Sequence, residues 1–498
     1  MVKSENNIGI ALNYILIIIT NLSSIILAPR LIHGMGEEIY GIYIVVFQIM
    51  TFFAVADFGM GTTVIRNIVK YNVNKNNKDR DNYIFWTALT YLLFVLVVLL
   101  VSVIFYAFSP LVFANTFSAA NLKLFKLMFL IMVLNCIFLF AQNFLFAVIA
   151  GFEKFTYTRV CQIVKIIIRT ALFIALVFTE YNPVYLFLVD LVLNILIIIF
   201  YAVYAFRLGV RPKPYKRSRI AILDNLKNMF WLYIMPVSEN SFWAVCNVLI
   251  AATINSESVT VFSLAVTFCL IFQQIIATLS YFKMPVVTKH WITQENGPEF
   301  TQYVHESSHM QAALSGAVLI GYIVFGKAFL TLWVGADFSI TYFLGVWMMS
   351  AMFFPMTQSM LEAVLYARNK YFLRAVVFIS STVFNSVLSF FFLKWFGIIG
   401  GACAVAISTL LFKLIVMDVY FVKIGINIKL FIIDITGKIL LFAAPLAIAG
   451  FAVVYLTESL LIQVIAGFVI FFVYLLSVYK FYLPKSQRIY LKSLFLRK

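Results

Sequence analysis

The stretch YLLFVLVVLLVSVIFYAF, residues 91–108, runs for 18 positions without a charged side chain. A second stretch, LFLVDLVLNILIIIFYAVYAF at residues 186–206, is equally apolar and contains a single aspartate. A helix needs about 20 mainly apolar residues to cross a membrane, whereas a membrane β-barrel strand alternates over about ten. Because both stretches are continuous and long, they predict membrane-spanning helices.

The composition of the whole chain agrees with a membrane protein. Of its 498 residues, 63% are hydrophobic and 11% are charged, and the mean hydropathy is +1.00. Soluble domains contain about 25% charged residues, and a water-exposed surface could not accommodate this much apolar area. The five cysteines lie inside apolar runs without a CxxC pair, which predicts small packing residues rather than disulfides or metal ligands.

The fold class predicted from these runs is an all-α polytopic membrane protein with about 14 transmembrane helices. The first apolar run is followed by Pro29 and Arg30 rather than by a small-residue cleavage site, so we expect it to be a retained helix. The connections are short, so no soluble domain is expected. The predicted helices lie at residues 9–29, 40–62, 83–109, 122–150, 160–179, 183–206, 228–252, 258–283, 310–331, 341–366, 372–394, 397–420, 436–456 and 459–482.

The lysines and arginines orient these helices, because basic residues concentrate in cytoplasmic loops. With both termini in the cytoplasm, the basic segments 66–80, 207–227 and 485–498 all lie on the cytoplasmic side. The net charge of +17 therefore reflects topology, and nucleic acid is not an expected partner. Five of the 37 basic residues face outward, namely Arg30, Lys123, Lys126, Lys327 and Lys394.

The most basic connection, RLGVRPKPYKRSR at residues 207–219, divides the chain. It predicts an N-terminal six-helix lobe, a basic cytoplasmic linker, a C-terminal six-helix lobe, and a terminal two-helix hairpin with a basic tail. A weak likeness between LAPRLIHGMGEEIYGIYIV and LIAATINSESVTVFSLAVT favours pseudo-symmetric lobes, with chance similarity of apolar segments as the alternative. The predicted parts are residues 1–206, 207–227, 228–420 and 421–498.

One face of the fifth predicted helix, residues 160–179, carries three polar side chains. Gln162, Lys165 and Arg169 are spaced by three and four residues, which places them on the same side of a helix. Arg169 lies about 13 Å beyond Val160 at 1.5 Å per residue, a depth from which a side chain reaches the headgroups with difficulty. The pattern predicts a lining for an anionic, phosphate-bearing substrate. An internal ion pair or snorkelling to the headgroups is the alternative.

Acidic residues in the predicted helices are candidate ion-coupling sites. Asp57 lies in the second helix, and Glu239 lies in YIMPVSENSFW, residues 233–243. Pro236 removes a backbone hydrogen bond there and exposes a carbonyl, which is typical of ion sites in interrupted helices. Glu239 is predicted either to bind an ion or proton or to be the counter-ion of Arg169. Two further carboxylates are Asp190 in the sixth helix and Glu362, which is expected at the membrane interface.

The sequence HESSH, residues 305–309, fits the HExxH motif of zinc metalloproteases. In that motif two histidines bind the metal and the glutamate is the catalytic base. No histidine follows residue 309, and no downstream acidic residue lies in a recognisable third-ligand motif. We therefore predict no metal ligand, no cofactor and no catalytic residue, with a metalloprotease as a distant alternative.

Four segments together resemble the O-antigen and capsular polysaccharide flippases. These proteins form the polysaccharide transporter branch of the multidrug/oligosaccharidyl-lipid/polysaccharide (MOP, MATE-like) exporter superfamily. The order and spacing of the segments cover almost the whole chain, although the last helical pair is the least diagnostic part. The segments are LAPRLIHGMGEEIYGIYIV (27–45), ADFGMGTTVIRNIVKY (56–71), GKAFLTLWVGADF (326–338) and NSVLSFFFLKWFGIIGGACAVAIS (385–408).

The resemblance implies two lobes around a cationic cavity in the bacterial cytoplasmic membrane. It also implies transfer of undecaprenyl-diphosphate-linked oligosaccharide to the outer leaflet without enzymatic catalysis. Polymerase or glycosyltransferase machinery is then a candidate partner besides the lipid-linked substrate and the bilayer. The expected substrate-binding residues are Arg30 at the outer end, Arg66 at the inner end, and Gln162, Lys165 and Arg169. The expected ion-coupling residues are Asp57 and Glu239.

Three other functions compete with this flippase prediction. A lipid II flippase has the same physical requirements. A multidrug or cation antiporter of the superfamily would place a cationic substrate against Lys165 and Arg169, which is unfavourable. A membrane-embedded polysaccharide polymerase or ligase needs a large outer loop with catalytic residues, and the longest outer connection, residues 109–122, contains no acid–base pair. A non-transporting scaffold would not need Arg169 inside the membrane.

Overall fold

The computed structural model describes residues 2–54, 60–178, 182–215, 220–294, 298–368, 372–457 and 459–496, which form helices and no strand. Three π-helical segments, Thr409–Val416, Phe431–Gly437 and Val478–Tyr482, continue neighbouring α-helices. The α-helices are α1 (Val2–Met35), α2 (Glu37–Ala54), α3 (Met60–Val73), α4 (Asn77–Phe113), α5 (Ala119–Ala150), α6 (Phe155–Val177), α7 (Val184–Arg207), α8 (Ile220–Thr253), α9 (Ser256–Gln294), α10 (Pro298–Trp333), α11 (Ser339–Thr357), α12 (Met360–Ala367), α13 (Phe372–Ser408), α14 (Met417–Lys423), α15 (Ile428–Leu430), α16 (Lys438–Leu456), α17 (Leu460–Ser477) and α18 (Lys485–Leu496).

Eleven of the described segments are long and apolar enough to cross a membrane. The longest, Phe372–Lys423, corresponds to two predicted helices, because the backbone leaves helical geometry at Gly397 (φ 59°, ψ −146°). The predicted helix 40–62 overlaps α2 and the beginning of α3, with residues 55–59 outside the described part of the chain, and the predicted helix 228–252 lies within α8. The predicted all-α polytopic fold class is confirmed.

Helix boundaries occur where polar side chains or glycine can complete the backbone hydrogen bonding. At the start of α4 the Oδ1 atom of Asn76 accepts a hydrogen bond from Asp79 N at 3.2 Å. Ser118 caps α5 in the same way, accepting from Asn121 N at 3.2 Å. After α1, Gly36 adopts a φ of +82°, which favours glycine and turns the chain directly into α2. These caps explain the short connections between long apolar helices.

The apolar side chains of the helices cover much of the outer surface. Leu100, Val103 and Leu111 of α4 are 63%, 68% and 76% exposed. Such a continuous apolar surface is unfavourable in water but suits contact with acyl chains. The chain is therefore a multi-pass membrane protein, and its polar interior contacts are the informative ones.

The chain folds as two compact units, residues 1–260 and 261–498. Within the first unit, α1 packs on α6, α5 packs on α7, and α2 contacts both α5 and α8. Within the second unit, α10 packs on α11, α16 and α17, and α11 contacts α13. The division into lobes at 1–206 and 228–420 with a terminal hairpin stays a prediction.

A buried arginine joins the beginning of α4 to the residues that follow α7. Arg80 is 6% exposed, and its guanidinium donates to Oδ1 of Asp81 at 3.0 and 3.1 Å. It also donates to the side chains of Asn72 and Asn77 at 3.2 and 3.0 Å and to the carbonyl of Gly209 at 3.3 Å. Arg80 is therefore a packing residue as well as a topology signal.

Replacing Arg80 by lysine is expected to lower the free energy of unfolding by about 1–2 kcal/mol, because an ammonium group cannot reproduce the planar, multiply bonded guanidinium. Thermal unfolding of the detergent-solubilised protein measures this loss. Lys78→Arg, a change at an exposed position of the same helix, is the control and should leave stability unchanged. An Arg80→Lys variant as stable as the parent would contradict the assigned packing role.

Candidate functional site

The three polar residues predicted to share a helix face lie on α6. Gln162, Lys165 and Arg169 are all half-buried. Elsewhere on α6, Thr170 and Ser23 of α1 have their hydroxyl oxygens 2.5 Å apart, which joins these two helices. The contacts of Lys165 and Arg169 run instead to α5, α7 and α2. The spacing of three and four residues therefore directs these polar groups into the interior of the first unit.

Lys165 is held by neutral amide groups of the neighbouring helices. Its Nζ donates to Oδ1 of Asn194 on α7 at 2.5 Å and to Oε1 of Gln142 on α5 at 3.4 Å. The Nδ2 of Asn194 donates to Oδ1 of Asn135 at 2.9 Å, and Asn135 donates in turn to the carbonyl of Phe187 at 2.9 Å. Because Asn135, Gln142 and Asn194 are buried, this chain of amides orients the ammonium group without neutralising it.

Arg169 forms a two-bond ion pair with Asp190 of α7. Its Nε lies 2.6 Å from Oδ1 and its Nη2 lies 3.0 Å from Oδ2. The guanidinium carbon is 4.2 Å from the centroid of the Phe173 ring, and Nη2 is 3.5 Å from the hydroxyl of Tyr43. The side chains of Arg169 and Asp190 are 24% and 20% exposed. Arg169 is thus in an internal ion pair, the alternative that the sequence left open. Its partner is Asp190 rather than Glu239.

Arg159 extends this set toward the beginning of α6. Its Nη1 donates to Oε1 of Gln162 at 2.8 Å, and its guanidinium lies over the ring of Phe146 at 5.2 Å. Arg159 was not among the predicted site residues, because the predicted helix began at 160, five residues after the observed start at Phe155. Its spacing of three from Gln162 was the available signal. We call Arg159, Gln162, Lys165 and Arg169 the basic stripe.

The roles of the other predicted site residues rest on the sequence alone. Arg30 is exposed on α1, and its guanidinium donates to the carbonyl of Ile26 on the same helix at 3.1 Å. Arg66 belongs to α3, Glu239 is half-buried in α8, and Asp57 lies outside the described residues. Their roles in substrate binding and ion coupling stay predictions.

The charge of the basic stripe and its ion-pair partner is positive, because three cationic side chains accompany one carboxylate. Cations inside a membrane protein are unfavourable unless they meet compensating charge. Lys165 is fixed in position by amides, and Arg159 by Gln162, so both present ordered donors. Charge-assisted hydrogen bonds from such donors to phosphate are stronger than neutral ones. The arrangement therefore suits an anionic, phosphate-bearing ligand.

Comparison with known proteins gives a family and a fold. The family model described as "Polysaccharide biosynthesis protein" matches residues 8–291, more than half of the chain. No curated protein matches the chain.

Three solved structures illustrate the similarity in fold. The structure of the lipid II flippase MurJ in an inward closed conformation has 16% sequence identity and a TM-score of 0.71, covering 97% of this chain and 99% of that chain. An inward-facing multidrug resistance MATE transporter of the MOP superfamily has 14% identity and a TM-score of 0.67, covering 79% and 92%. An outward-facing multidrug resistance MATE transporter has 13% identity and a TM-score of 0.57, covering 82% of this chain and 94% of that chain.

Identities of 13–16% establish the shared fold and nothing finer. The fold is shared with the solved structures of MurJ and of the two MATE transporters. The residues that the family model matches, 8–291, include the first and second of the four segments that carry the resemblance. The predicted relationship is confirmed: the chain belongs to the polysaccharide biosynthesis protein family, and it shares its fold with the lipid II flippase MurJ and with MATE transporters of the MOP superfamily.

Proposed function

We propose that this protein is a flippase that moves undecaprenyl-diphosphate-linked oligosaccharide across the bacterial cytoplasmic membrane by alternating access. In this proposal both termini are cytoplasmic, and the substrate is the repeat unit of an O-antigen, capsule or exopolysaccharide. The protein is not an enzyme, because translocation makes and breaks no covalent bond. Family membership supports a role in polysaccharide biosynthesis.

The observation that carries the proposal is the environment of Lys165. Its ammonium group is half-buried, and both of its hydrogen-bond partners are neutral amide oxygens. A diphosphate between lipid and sugar carries a negative charge on each phosphate, so its oxygens would be better acceptors for this cation than the amides are. Arg159, which donates to Gln162 of the same helix, provides a second cation that a substrate phosphate could contact.

The apolar surroundings of the basic stripe suit the other end of such a substrate. Val164, Ile167 and Ile168 on the same helix are 47%, 52% and 42% exposed, so apolar and cationic surfaces adjoin on α6. A polyprenyl chain can remain in contact with apolar surface and lipid while its diphosphate meets the cations. This arrangement explains why one helix would carry both kinds of side chain.

A lipid II flippase is the second candidate function. The MurJ structure resembles this chain over 97% of its length with a TM-score of 0.71. Both substrates would present a polyprenyl diphosphate, so the basic stripe would serve either one. An antiporter for cationic drugs is disfavoured, since Lys165 would repel its substrate.

A flipping assay with purified protein in proteoliposomes tests the proposal. Fluorescent undecaprenyl-diphosphate oligosaccharide should become accessible on the opposite leaflet faster than in protein-free vesicles. The matching undecaprenyl oligosaccharide with a neutral linkage should not become accessible faster than in protein-free vesicles. Movement of lipid II alone would support the second candidate, and movement of cationic drugs alone would reject both flippase functions.

A further inference from the structure

Two histidines and an aspartate meet in the second unit, at a place that the basic stripe does not involve. His305 and His309 lie one turn apart near the beginning of α10, and Asp434 lies in the π-helical segment Phe431–Gly437 that leads into α16. The Nε2 atoms of the two histidines lie 2.9 and 3.3 Å from the same oxygen, Oδ2 of Asp434. The HExxH motif, which lacked a third ligand in the sequence, thus acquires one from a distant segment.

The spacing of these three groups matches the geometry of a tetrahedral metal site. Ligand atoms that are about 2.0–2.2 Å from a tetrahedral Zn²⁺ are about 3.3 Å from each other. The ligand atoms of His305, His309 and Asp434 all lie within 4.8 Å of one another. Small side-chain adjustments would therefore bring all three to bonding distance of one ion.

The neighbours of the cluster hold the ligands in place. The ring centroids of His309 and Tyr482 are 4.9 Å apart, and those of His305 and Phe431 are 6.0 Å apart. Lys438 pairs with Oδ1, the oxygen of Asp434 that does not face the histidines. Such outer contacts orient a ligating carboxylate and leave its second oxygen available to the metal.

Glu306, the residue that would be the base of a metalloprotease, is engaged elsewhere. Its carboxylate accepts hydrogen bonds from Gln302 at 3.0 Å and from Ser486 of α18 at 2.9 Å. A catalytic base must instead reach the metal-bound water. Glu306 is therefore not placed to act as the base of a hydrolytic site.

We infer that His305, His309 and Asp434 bind one divalent transition-metal ion, with zinc as the best match. Two imidazoles and one carboxylate suit Zn²⁺ or Co²⁺, whereas Mg²⁺ and Ca²⁺ require more oxygen ligands. Water completes the coordination. The ion joins the beginning of α10 to the segment that leads into α16, two elements that already pack together. It acts as a clamp within the second unit.

Titration of the chelator-treated, full-length protein with Co²⁺ tests this inference, using protein purified without a polyhistidine tag. We expect about one Co²⁺ per chain, intense visible absorption typical of tetrahedral coordination, and displacement by Zn²⁺ but not by millimolar Mg²⁺ or Ca²⁺. Zn²⁺ should also raise the thermal unfolding midpoint, because it binds only the folded chain.

Variants identify the ligands. His305→Ala, His309→Ala and Asp434→Asn should each weaken Co²⁺ binding by at least about tenfold. His33→Ala removes an exposed histidine of α1 and should bind like the parent, as should Glu306→Gln, because Glu306 is not one of the three ligands.

Two results would overturn the inference: a parent protein without tetrahedral Co²⁺ absorption, or three ligand variants that bind with parental affinity. If one alanine variant fails to fold, the parental spectrum and the isosteric Asp434→Asn variant still decide. None of these measurements depends on transport, so their failure and that of the proposed flippase function can be distinguished.

Discussion

Lys165→Glu should reduce the flipping rate of a diphosphate-linked oligosaccharide at least about a hundredfold, which corresponds to about 2.7 kcal/mol. The substitution replaces a positioned cation by an anion among the oxygens of Asn194 and Gln142. A substrate phosphate would then meet repulsion instead of a charge-assisted hydrogen bond. The proteoliposome assay measures the rate, and Lys165→Arg should retain a substantial part of it because the charge is kept.

The matched control for this charge reversal is Lys123→Glu. Lys123 is exposed near the beginning of α5, and its reversal changes the net charge by the same amount. We expect a parental flipping rate from this variant. Lys165→Gln provides a neutral substitution in case the carboxylate disturbs folding, with an expected loss of about tenfold. A folded Lys165→Gln or Lys165→Glu protein with the parental rate would show that the basic stripe is not the substrate site.

Arg169→Ala and Asp190→Asn should each destabilise the protein by about 2–3 kcal/mol, because each leaves the other member of a shielded ion pair without its partner. The two-bond geometry at 2.6 and 3.0 Å makes the pair strongly coupled. The double variant should therefore lose less stability than the sum of the two single losses, with an interaction free energy of about 1–3 kcal/mol. Thermal unfolding in detergent measures all four members of this cycle.

Flipping rates of the same variants separate folding from function. The double variant should be folded yet transport slowly, since the cation and its fixed position beside Phe173 and Tyr43 are both lost. Parental flipping by the double variant would show that the ion pair serves folding alone. Additive stability changes in the double variant would contradict the ion pair itself. Lys123→Ala, at an exposed position, controls for loss of one positive charge.

The helices were predictable because the membrane imposes a simple rule on the sequence. A spanning segment must form its backbone hydrogen bonds internally and present apolar side chains to lipid. Long apolar runs therefore predict spanning helices without tertiary information. The run at 91–108 lies inside α4, as expected. Boundaries were less readable: α6 begins at Phe155 rather than at 160, because polar residues near the headgroups do not stop a helix.

The candidate site was only partly predictable, because spacing within one helix can be read from the sequence and contacts between helices cannot. Periodicity alone placed Gln162, Lys165 and Arg169 on one face, since that relation is internal to a helix. Which carboxylate would pair with Arg169 depended on how α7 packs beside α6, and the sequence left Glu239 open as a counter-ion. The observed partner, Asp190, follows from that packing.

The sequence by itself therefore determined the membrane class, the helices and the unusual cationic face of α6, because apolar runs and helical spacing are properties of single segments. Only the tertiary structure decided that Lys165 meets amides while Arg169 meets a carboxylate, and that Asp434 joins His305 and His309. Those relations join residues far apart in the chain, and the register of packed helices, which no local pattern encodes, brings them within a few ångströms.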